Sequence, residues 1–314
     1  MERADTTPDH GPTVEVIDLH KRYGDVRAVD GVSFHVAPGE IFGLLGPNGA
    51  GKTTVLEIIE GLRQPDSGQA RLLDQPVWPR NQALLPRIGV QLQASAFFDR
   101  LTAREQLETF ASLYGAPRRR VDEALADVGL TDSARVRVEK LSGGQAQRLA
   151  LACAFVHDPD IVFLDEPSAG LDPQSRQQLW HVIRALAAGG RTVVMSTHYM
   201  EEAEALCDRV AIMDAGQVLA LDAPARLVRH LDVPVLVSVP AECMTADSAR
   251  RLDGAERVEG DGATTTIATR QRARVLHQLD QRHLLDVAEV TGASLEDVFL
   301  SLTGRRYHDV SGHR

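Results

Sequence analysis

The sequence of 314 residues predicts an α/β fold, in which a mostly parallel β-sheet is covered by helices on both faces and a small α+β domain follows. Short apolar runs alternate with segments of helical periodicity, which is the pattern of a parallel sheet. A glycine-rich loop separates one apolar run from the next helix. The composition changes near residue 230, and the length favours two domains.

Composition excludes several classes of protein. The chain is 43% hydrophobic and 25% charged, which is typical of a folded domain. No apolar stretch approaches the roughly 18 residues that a membrane-spanning helix needs. A net charge of −10 argues against general nucleic-acid binding, which normally uses a basic face. The three cysteines are widely spaced, so neither a disulfide framework nor a zinc site is expected.

The elements follow in order along the chain. Residues 1–12 are polar and predict a flexible tail. Strands are expected at 14–19, 32–36, 40–45, 160–164 and 192–195, with a helix at 53–61. The segment from about 94 to 150 has helical patterns, and Thr102 and Glu105 form a capping box there. We therefore expect one large domain over 13–230 that contains this helical part.

A second domain is predicted over 231–314. Strand patterns cover 235–239 and 264–269, a helix pattern covers 273–279, and a further apolar run covers 285–290. A capped amphipathic helix is expected at 295–305. These elements predict a small C-terminal α+β domain.

One motif fits the pattern G-x-x-x-x-G-K-[ST] between a strand and a helix. Glycines let successive backbone amides and the helix N-terminus point at a phosphate chain, the lysine neutralises phosphate charge, and the hydroxyl binds Mg²⁺. The alternative is a simple glycine-rich turn. The residues of this predicted phosphate loop are Gly46, Pro47, Asn48, Gly49, Ala50, Gly51, Lys52 and Thr53.

The apolar run 161–164 ends in two acidic residues. Apolar side chains on both faces are typical of a central parallel strand. Asp165 at its tip is expected to hold Mg²⁺ through water, and Glu166 to polarise an attacking water. The alternative is a strand that merely ends in a solvated acidic turn.

A further helix opens with a small-residue motif. Ser142 is a good N-cap, and two glycines after it leave the first amides of the helix open to an anion. An ordinary N-cap with a glycine turn is the alternative, although glycine inside a helix costs about 1 kcal/mol relative to alanine. The motif consists of Leu141, Ser142, Gly143, Gly144 and Gln145.

Three single residues complete the set of candidates. His198 follows the apolar run 193–195 and Ser196-Thr197, at the carboxyl edge of the sheet where ligands bind. Gln93 comes just after a short apolar run, with Gln91 as a competitor for the same role. Tyr23 is either a core aromatic or a platform for adenine.

Taken in this order, the motifs resemble those of ABC-transporter ATPase subunits, from about residue 14 to 228. The resemblance implies that Tyr23 stacks on adenine, that Gln93 reaches Mg²⁺ and the attacking water, and that His198 contacts the γ-phosphate. Thr54 joins the ATP-binding set. Two copies would sandwich two nucleotides head to tail, with residues 141–145 completing the opposite site. The dimer loop implied at that interface is Ser168, Ala169, Gly170, Leu171 and Asp172.

Two segments are similar to daunorubicin-resistance-type exporter ATPases, namely 294–305 and 198–204. This similarity implies export of drug- or antibiotic-like hydrophobic substrates. Both segments are shared with ATPases that export lipids, ions or polysaccharides, so those substrates stay open as alternatives.

The sequence therefore predicts an ATP- and Mg²⁺-dependent homodimeric motor that works with a separate membrane permease at the cytoplasmic face of the membrane, with no nucleic acid as partner. By resemblance, the permease docks around 94–107, with Phe97, Phe98 and Leu101 as apolar contacts. A soluble ABC ATPase acting on DNA or ribosomes is the rival, but this chain has neither long heptad segments nor a second cassette. A non-hydrolysing module would need a damaged site, and no motif is missing.

Overall fold

The structure is a computed structural model, and it describes residues 11–91, 97–231 and 233–305. The chain divides into two compact units, the first reaching Pro224 and the second beginning at Ala225. The second unit therefore begins earlier in the chain than residue 231, where the sequence analysis places the second domain. The composition change near 231–234 marks the approach to a strand, whereas the second unit already includes the helix before it.

Strands of the first unit form two sheets. The antiparallel sheet has the order β2-β1-β4-β5, and the larger sheet has the order β10-β9-β3-β8-β7-β6. Their bounds are β1 (Val14–Tyr23), β2 (Val26–Val36), β3 (Ile41–Leu45), β4 (Ser67–Leu72), β5 (Gln75–Pro76), β6 (Ile88–Gln91), β7 (Ile161–Asp165), β8 (Thr192–Thr197), β9 (Arg209–Asp214) and β10 (Gln217–Asp222).

The larger sheet is parallel except for β10, which pairs antiparallel with β9. The α/β fold with a mostly parallel sheet is therefore confirmed. Strands β3, β7 and β8 are buried along their whole length, as expected for central parallel strands. Leu45 pairs with Thr197, and Asp165 pairs with Ser196. The segments that follow these strands consequently emerge at one edge of the sheet.

Helices of the first unit surround this sheet. They are α1 (Lys52–Ile59), α2 (Ala103–Leu113), α3 (Arg118–Asp127), α4 (Gly143–Phe155), α5 (Pro173–Ala188) and α6 (Met200–Leu206), with 3₁₀ turns at Leu85–Arg87 and Val138–Lys140. The predicted capping box of Thr102 and Glu105 begins α2. No helix in the described part of the chain is long and apolar enough to cross a bilayer.

The core of the first unit joins both sheets to α1. Phe34 of β2 stacks on Phe42 of β3, with ring centroids 4.9 Å apart. Val55 and Ile58 of α1 are fully buried in the same cluster. The helix that follows the phosphate loop is therefore anchored by apolar packing on both sheets.

The second unit has a βαββαβ order with an antiparallel sheet β12-β13-β11-β14, which is the ferredoxin-like arrangement. Val237, Ile267 and Val275 belong to its core. The apolar run 285–290 is not one strand but a 3₁₀ turn followed by the start of β14. The elements of the second unit are α7 (Pro224–His230), β11 (Val235–Pro240), α8 (Ala246–Ala249), β12 (Arg257–Gly260), β13 (Thr264–Thr269), α9 (Arg272–Asp280), the turn Leu285–Val287, β14 (Glu289–Thr291) and α10 (Leu295–Thr303).

Candidate functional site

The phosphate loop lies between β3 and α1, as predicted, and two of its glycines are required by their surroundings. Gly51 has φ 100°, and a Cβ there would lie 2.1 Å from the carbonyl oxygen of Ala28. At Gly46 a Cβ would lie 2.3 Å from the carbonyl oxygen of Met213. No other residue fits either position without moving the backbone. The loop therefore follows one path past β2 and the end of β9.

Lys52 is the first residue of α1, and only 4% of its surface is exposed. Its Nζ donates hydrogen bonds to the carbonyl oxygens of Gly46 (2.7 Å) and Pro47 (3.1 Å). The same Nζ lies 3.5 Å from Glu166 Oε1. Burial lowers the pKa of Lys52, and the charge of Glu166 opposes that shift. The ammonium is thus held over its own loop, where a phosphate would meet it.

Thr53 and Asp165 bring oxygen donors together next to this loop. Thr53 Oγ1 lies 3.3 Å from both carboxylate oxygens of Asp165. Ser196 on β8 donates a hydrogen bond of 2.5 Å to Asp165 Oδ1. Hydroxyl and carboxylate oxygens are the ligands that Mg²⁺ prefers. Two of the three residues predicted for Mg²⁺ from the sequence, Thr53 and Asp165, therefore stand close enough together to share one ion.

Glu166 directly follows Asp165 with a backbone φ of 47°, a conformation that residues other than glycine rarely adopt. Its amide donates a hydrogen bond to Ser196 Oγ at 3.0 Å. Its Oε2 lies 3.2 Å from His198 Nδ1. The neighbouring His198 lowers the pKa of Glu166, as does Lys52, while burial raises it in part. The carboxylate is therefore ionised at neutral pH and able to accept a proton.

Tyr23 and the glutamine candidates have different outcomes. The Tyr23 ring is 39% exposed at the end of β1, so it is not a core aromatic. The Arg63 guanidinium lies 5.3 Å from the ring centroid. Gln93 lies outside the described residues. Gln91 ends β6, and its buried amide has no hydrogen-bond partner in the described part of the chain.

The Leu141–Gln145 motif begins α4, with Ser142 as its N-cap, as predicted. Gln145 N donates to Ser142 Oγ (3.2 Å), and Ser142 N donates to Gln145 Oε1 (2.9 Å). The two glycines differ in their surroundings. A Cβ on Gly143 would meet nothing within 4 Å, whereas a Cβ on Gly144 would lie 2.4 Å from Ser175 Oγ and 2.7 Å from Ser175 Cβ. One glycine is therefore open to a ligand, and the other allows α4 to pack on α5.

The 168–172 loop has a buried and an exposed end. Ser168 is fully buried, and Gly170, with φ 73°, is exposed. Asp172 is the N-cap of α5, and its Oδ1 accepts a hydrogen bond from Ser175 N at 3.0 Å. These backbone and side-chain hydrogen bonds from Ser175 lower the pKa of Asp172. The loop thus connects the strand of Asp165 with the helix that contacts Gly144.

Sequence reasoning missed three polar residues in this region. Ser196 bridges Asp165 and Glu166, and no local signal in the sequence shows that β7 and β8 pair in the register that places it there. Glu60 at the end of α1 is 6% exposed, and burial followed by the charges of Asp165 and Glu57 raises its pKa to about 8. Glu202 on α6 is fully buried. Glu60 belongs to no recognised motif, and Glu202 lies in the 198–204 segment without a site role predicted for it.

Comparisons with known proteins agree with this geometry. The family model for the ABC transporter ATP-binding domain matches residues 29–169. The Nod factor export ATP-binding protein I of Paraburkholderia xenovorans (strain LB400) is 40% identical over 305 residues, covering 94% of this chain and 98% of that protein. The protein of the same name from Rhizobium sp. (strain N33) is 39% identical over 297 residues, covering 93% and 97%.

Solved structures show the same fold. The cbiO1 protein of Clostridium perfringens, described as part of the ABC transporter complex cbiONQ, is 28% identical with a TM-score of 0.65, covering 70% of this chain and 91% of its own. A nucleotide-free ATP-binding cassette from an ABC transporter has 22% identity and a TM-score of 0.62, covering 70% and 94%. These matches agree with the α/β cassette built above.

Proposed function

This chain belongs to the ATP-binding subunits of ABC transporters, and we propose that it drives an exporter through ATP-dependent closure of a head-to-tail homodimer below a separate membrane permease. Members of this family hydrolyse ATP in transport, so the chain is an ATPase. Export as the direction is supported by the relatives, which carry the name of Nod factor export proteins.

The observation that carries the proposal is the convergence of Lys52, Glu166 and His198 at one edge of the sheet. In the proposed mechanism, Lys52 exchanges its bonds to the loop carbonyls for the β- and γ-phosphates of ATP. Glu166 accepts a proton from the attacking water, and its low pKa keeps it ready to do so. His198 moves from Glu166 to the γ-phosphate. Phosphoryl transfer to water needs positioning and charge stabilisation more than covalent chemistry.

Thr53 and Asp165 are the proposed holders of Mg²⁺, with Asp165 acting through water. Bound there, Mg²⁺ would supply neutralisation of phosphate charge. Ser196 keeps the Asp165 carboxylate oriented through its short hydrogen bond. Gln93 stays proposed for the same ion and the attacking water, and Tyr23 for stacking on adenine. Thr54 extends the ATP-binding set along α1.

The homodimer is supported by the open side of the Leu141–Gln145 motif. Gly143 has free space around it, and the first amides of α4 form an anion site. In the proposed dimer this helix start binds the γ-phosphate held by the opposite subunit. The exposed Gly170 and Asp172 of the 168–172 loop face the partner in the same arrangement.

Permease docking is proposed on an apolar surface formed by Phe97, Phe98 and Leu101. These residues line an open cavity of about 590 Å³, and Phe98 is 58% exposed. A large exposed aromatic next to other apolar groups is typical of a protein interface. Docking there would place the ATPase at the cytoplasmic face of the membrane.

Two substrate classes are proposed. Segments 294–305 and 198–204 support a drug- or antibiotic-like hydrophobic substrate. The 40% identity to Nod factor export proteins over nearly the whole chain supports a Nod factor as the second candidate. Capture of the permease from solubilised membranes, followed by transport assays with both substrate classes in vesicles, decides between them. Recovery of ribosomes or DNA-repair proteins without an integral membrane protein would contradict transport.

The catalytic proposal is tested with Glu166→Gln. This variant should bind ATP as tightly as the unchanged chain but stop turnover, so that ATP-bound dimers accumulate in size-exclusion chromatography with light scattering. Asp127→Asn, which changes an exposed carboxylate on α3 to an amide, is the control and should hydrolyse ATP normally. An unchanged steady-state rate in Glu166→Gln contradicts the assignment.

A further inference from the structure

A buried carboxylate that the proposed mechanism does not use lies on the helix after His198. Glu202 has no exposed surface. Its Oε1 accepts a hydrogen bond of 3.0 Å from Trp180 Nε1 on α5. Carboxylates are almost never fully buried unless they are paired. The role of the buried Glu202 carboxylate therefore depends on the polar groups that surround it.

The surroundings of Glu202 connect two segments of the site. Burial raises the pKa of Glu202, while the Thr197 and Ser168 hydroxyls, the Trp180 indole and the Arg176 charge lower it in part. Ser168 is the first residue of the 168–172 loop, and Thr197 directly precedes His198. One carboxylate is thus close to the loop proposed for the dimer interface and to the histidine proposed for the γ-phosphate.

The polar groups in this cluster are only partly paired. Glu202 Oε2, Ser168 Oγ and Arg176 Nε are buried, and none has a hydrogen-bond partner within the described ranges of the chain. Buried polar groups that lack partners are unusual in folded proteins and call for an explanation. A small movement of the loop that brought Ser168 Oγ onto Glu202 Oε2 would pair two of these atoms.

A second set of contacts leads from α5 to the same histidine. The Arg176 guanidinium lies 4.9 Å from the centroid of the Tyr199 ring. The Tyr199 ring is in turn 4.0 Å from the ring of His198. Thr197 Oγ1 accepts a hydrogen bond from Tyr199 N at 3.0 Å. The 197–199 segment is therefore contacted by Arg176 of α5 through Tyr199 and by Glu202 of α6 through Thr197.

We propose that Glu202 is a positioning residue that couples the 168–172 loop to His198. When the loop meets the partner subunit, Ser168 donates its hydroxyl hydrogen to Glu202 Oε2. That bond fixes Thr197 and thereby the position of His198 relative to Glu166. The inference rests on the proposed roles of His198 and of the loop, and it extends them to a buried residue of α6 outside the proposed ATP-binding set.

The test is a double-mutant cycle in the full chain with ATP turnover as the readout. Ser168→Ala and Glu202→Met should each lower kcat about 10-fold, within the range for a misplaced catalytic group, while changing KM for ATP less than about 2-fold. The double variant should lose no more than either single variant, since both remove the same contact. Glu202→Gln should recover most of the rate, because its amide can bond to both Trp180 and Ser168.

Controls separate this role from simple stability. Ser168→Ala removes one hydroxyl and should leave the melting temperature unchanged, and Asp127→Asn, which changes an exposed carboxylate on α3, should leave the rate unchanged. Losses that multiply in the double variant, or a normal kcat in Ser168→Ala, overturn the coupling. His198→Ala reports separately on the proposed function. If its rate is normal, the role of His198 fails, whereas the cycle still tests the contact between Ser168 and Glu202.

Discussion

The two adjacent glycines at the start of α4 should separate folding from catalysis. Gly143→Ala adds a methyl group in open space, because no atom lies within 4 Å of the added Cβ. Gly144→Ala adds the same group at 2.7 Å from Ser175 Cβ and 2.4 Å from its Oγ. The chemical change is identical at both positions, so any difference between the variants comes from their surroundings.

The size of the Gly144→Ala effect follows from these distances. Carbon atoms in contact prefer a separation of about 3.5–4.0 Å, so α4 and α5 must move apart by roughly 1 Å. Rotation of the Ser175 hydroxyl relieves the contact with Oγ but not the contact with Cβ. Overpacking of this kind costs about 1–3 kcal/mol. We expect Gly144→Ala to lower the free energy of unfolding by that amount.

Gly143→Ala should keep the stability of the unchanged chain, or gain slightly from the higher helix propensity of alanine. Its ATP turnover should nevertheless fall, because the methyl group occupies the space that the opposite γ-phosphate enters in the proposed dimer. Denaturant unfolding and steady-state ATPase rates measured on the same preparations give both quantities. The expected pattern is a stable, inactive Gly143→Ala and a destabilised Gly144→Ala.

A suppressor completes this experiment. Ser175→Gly removes both atoms that the new methyl group meets, at a cost of up to about 1 kcal/mol for glycine in a helix. Gly144→Ala combined with Ser175→Gly should therefore be more stable than the sum of the single changes. Additive losses in the double variant, or equal stability of the two alanine variants, refute the packing argument for α4 and α5.

Three further predictions concern the phosphate loop, Glu60 and the docking surface. Gly51→Ala should unfold the loop and abolish ATP binding in calorimetry, whereas Gly49→Ala, which has φ 83° but open space, should lose only about 1–2 kcal/mol of stability. Because the folded chain keeps Glu60 protonated up to about pH 8 and the unfolded chain releases that proton near 4.5, nucleotide-free stability should fall as pH rises between these values. Glu60→Gln should remove this dependence of stability on pH. At pH 9 the variant should be more stable than the unchanged chain by several kcal/mol, since each pKa unit corresponds to about 1.4 kcal/mol. An equal pH dependence in the two proteins would contradict the burial argument. Phe98→Asp should lose permease capture from membranes while the isolated chain keeps its ATPase rate; retained capture would move the docking surface elsewhere.

Local sequence signals predicted the elements that position the site. Three of these predictions combine a short motif with one periodic element: the phosphate loop, the strand ending at Asp165 and the cap at Ser142. Such patterns predict the structure well because they depend only on residues that are neighbours in the chain. The capping box of Thr102 and Glu105 is of the same kind. The run 285–290 was assigned to no element type, because apolar residues alone do not distinguish a turn from a strand.

Features that depend on distant segments could not be predicted. Ser196 bridges Asp165 and Glu166 only because β7 and β8 pair in one register. The requirement for glycine at position 144 comes from Ser175, which lies 31 positions further along the chain. The position where the second unit begins also depends on packing, since α7 has no composition signal of its own.

Helix α5 is the element that unites these long-range features. Its N-cap Asp172 belongs to the 168–172 loop, Ser175 in its first turn sets the distance to α4, and Trp180 further along donates a hydrogen bond to Glu202 on α6. A shift of its first turn would therefore be felt at the Leu141–Gln145 motif and at the histidine together. Because helices move as rigid units, such a shift reaches both places without changes inside the helix. Helix α5 thus contacts the 168–172 loop, α4 and Glu202 within one subunit.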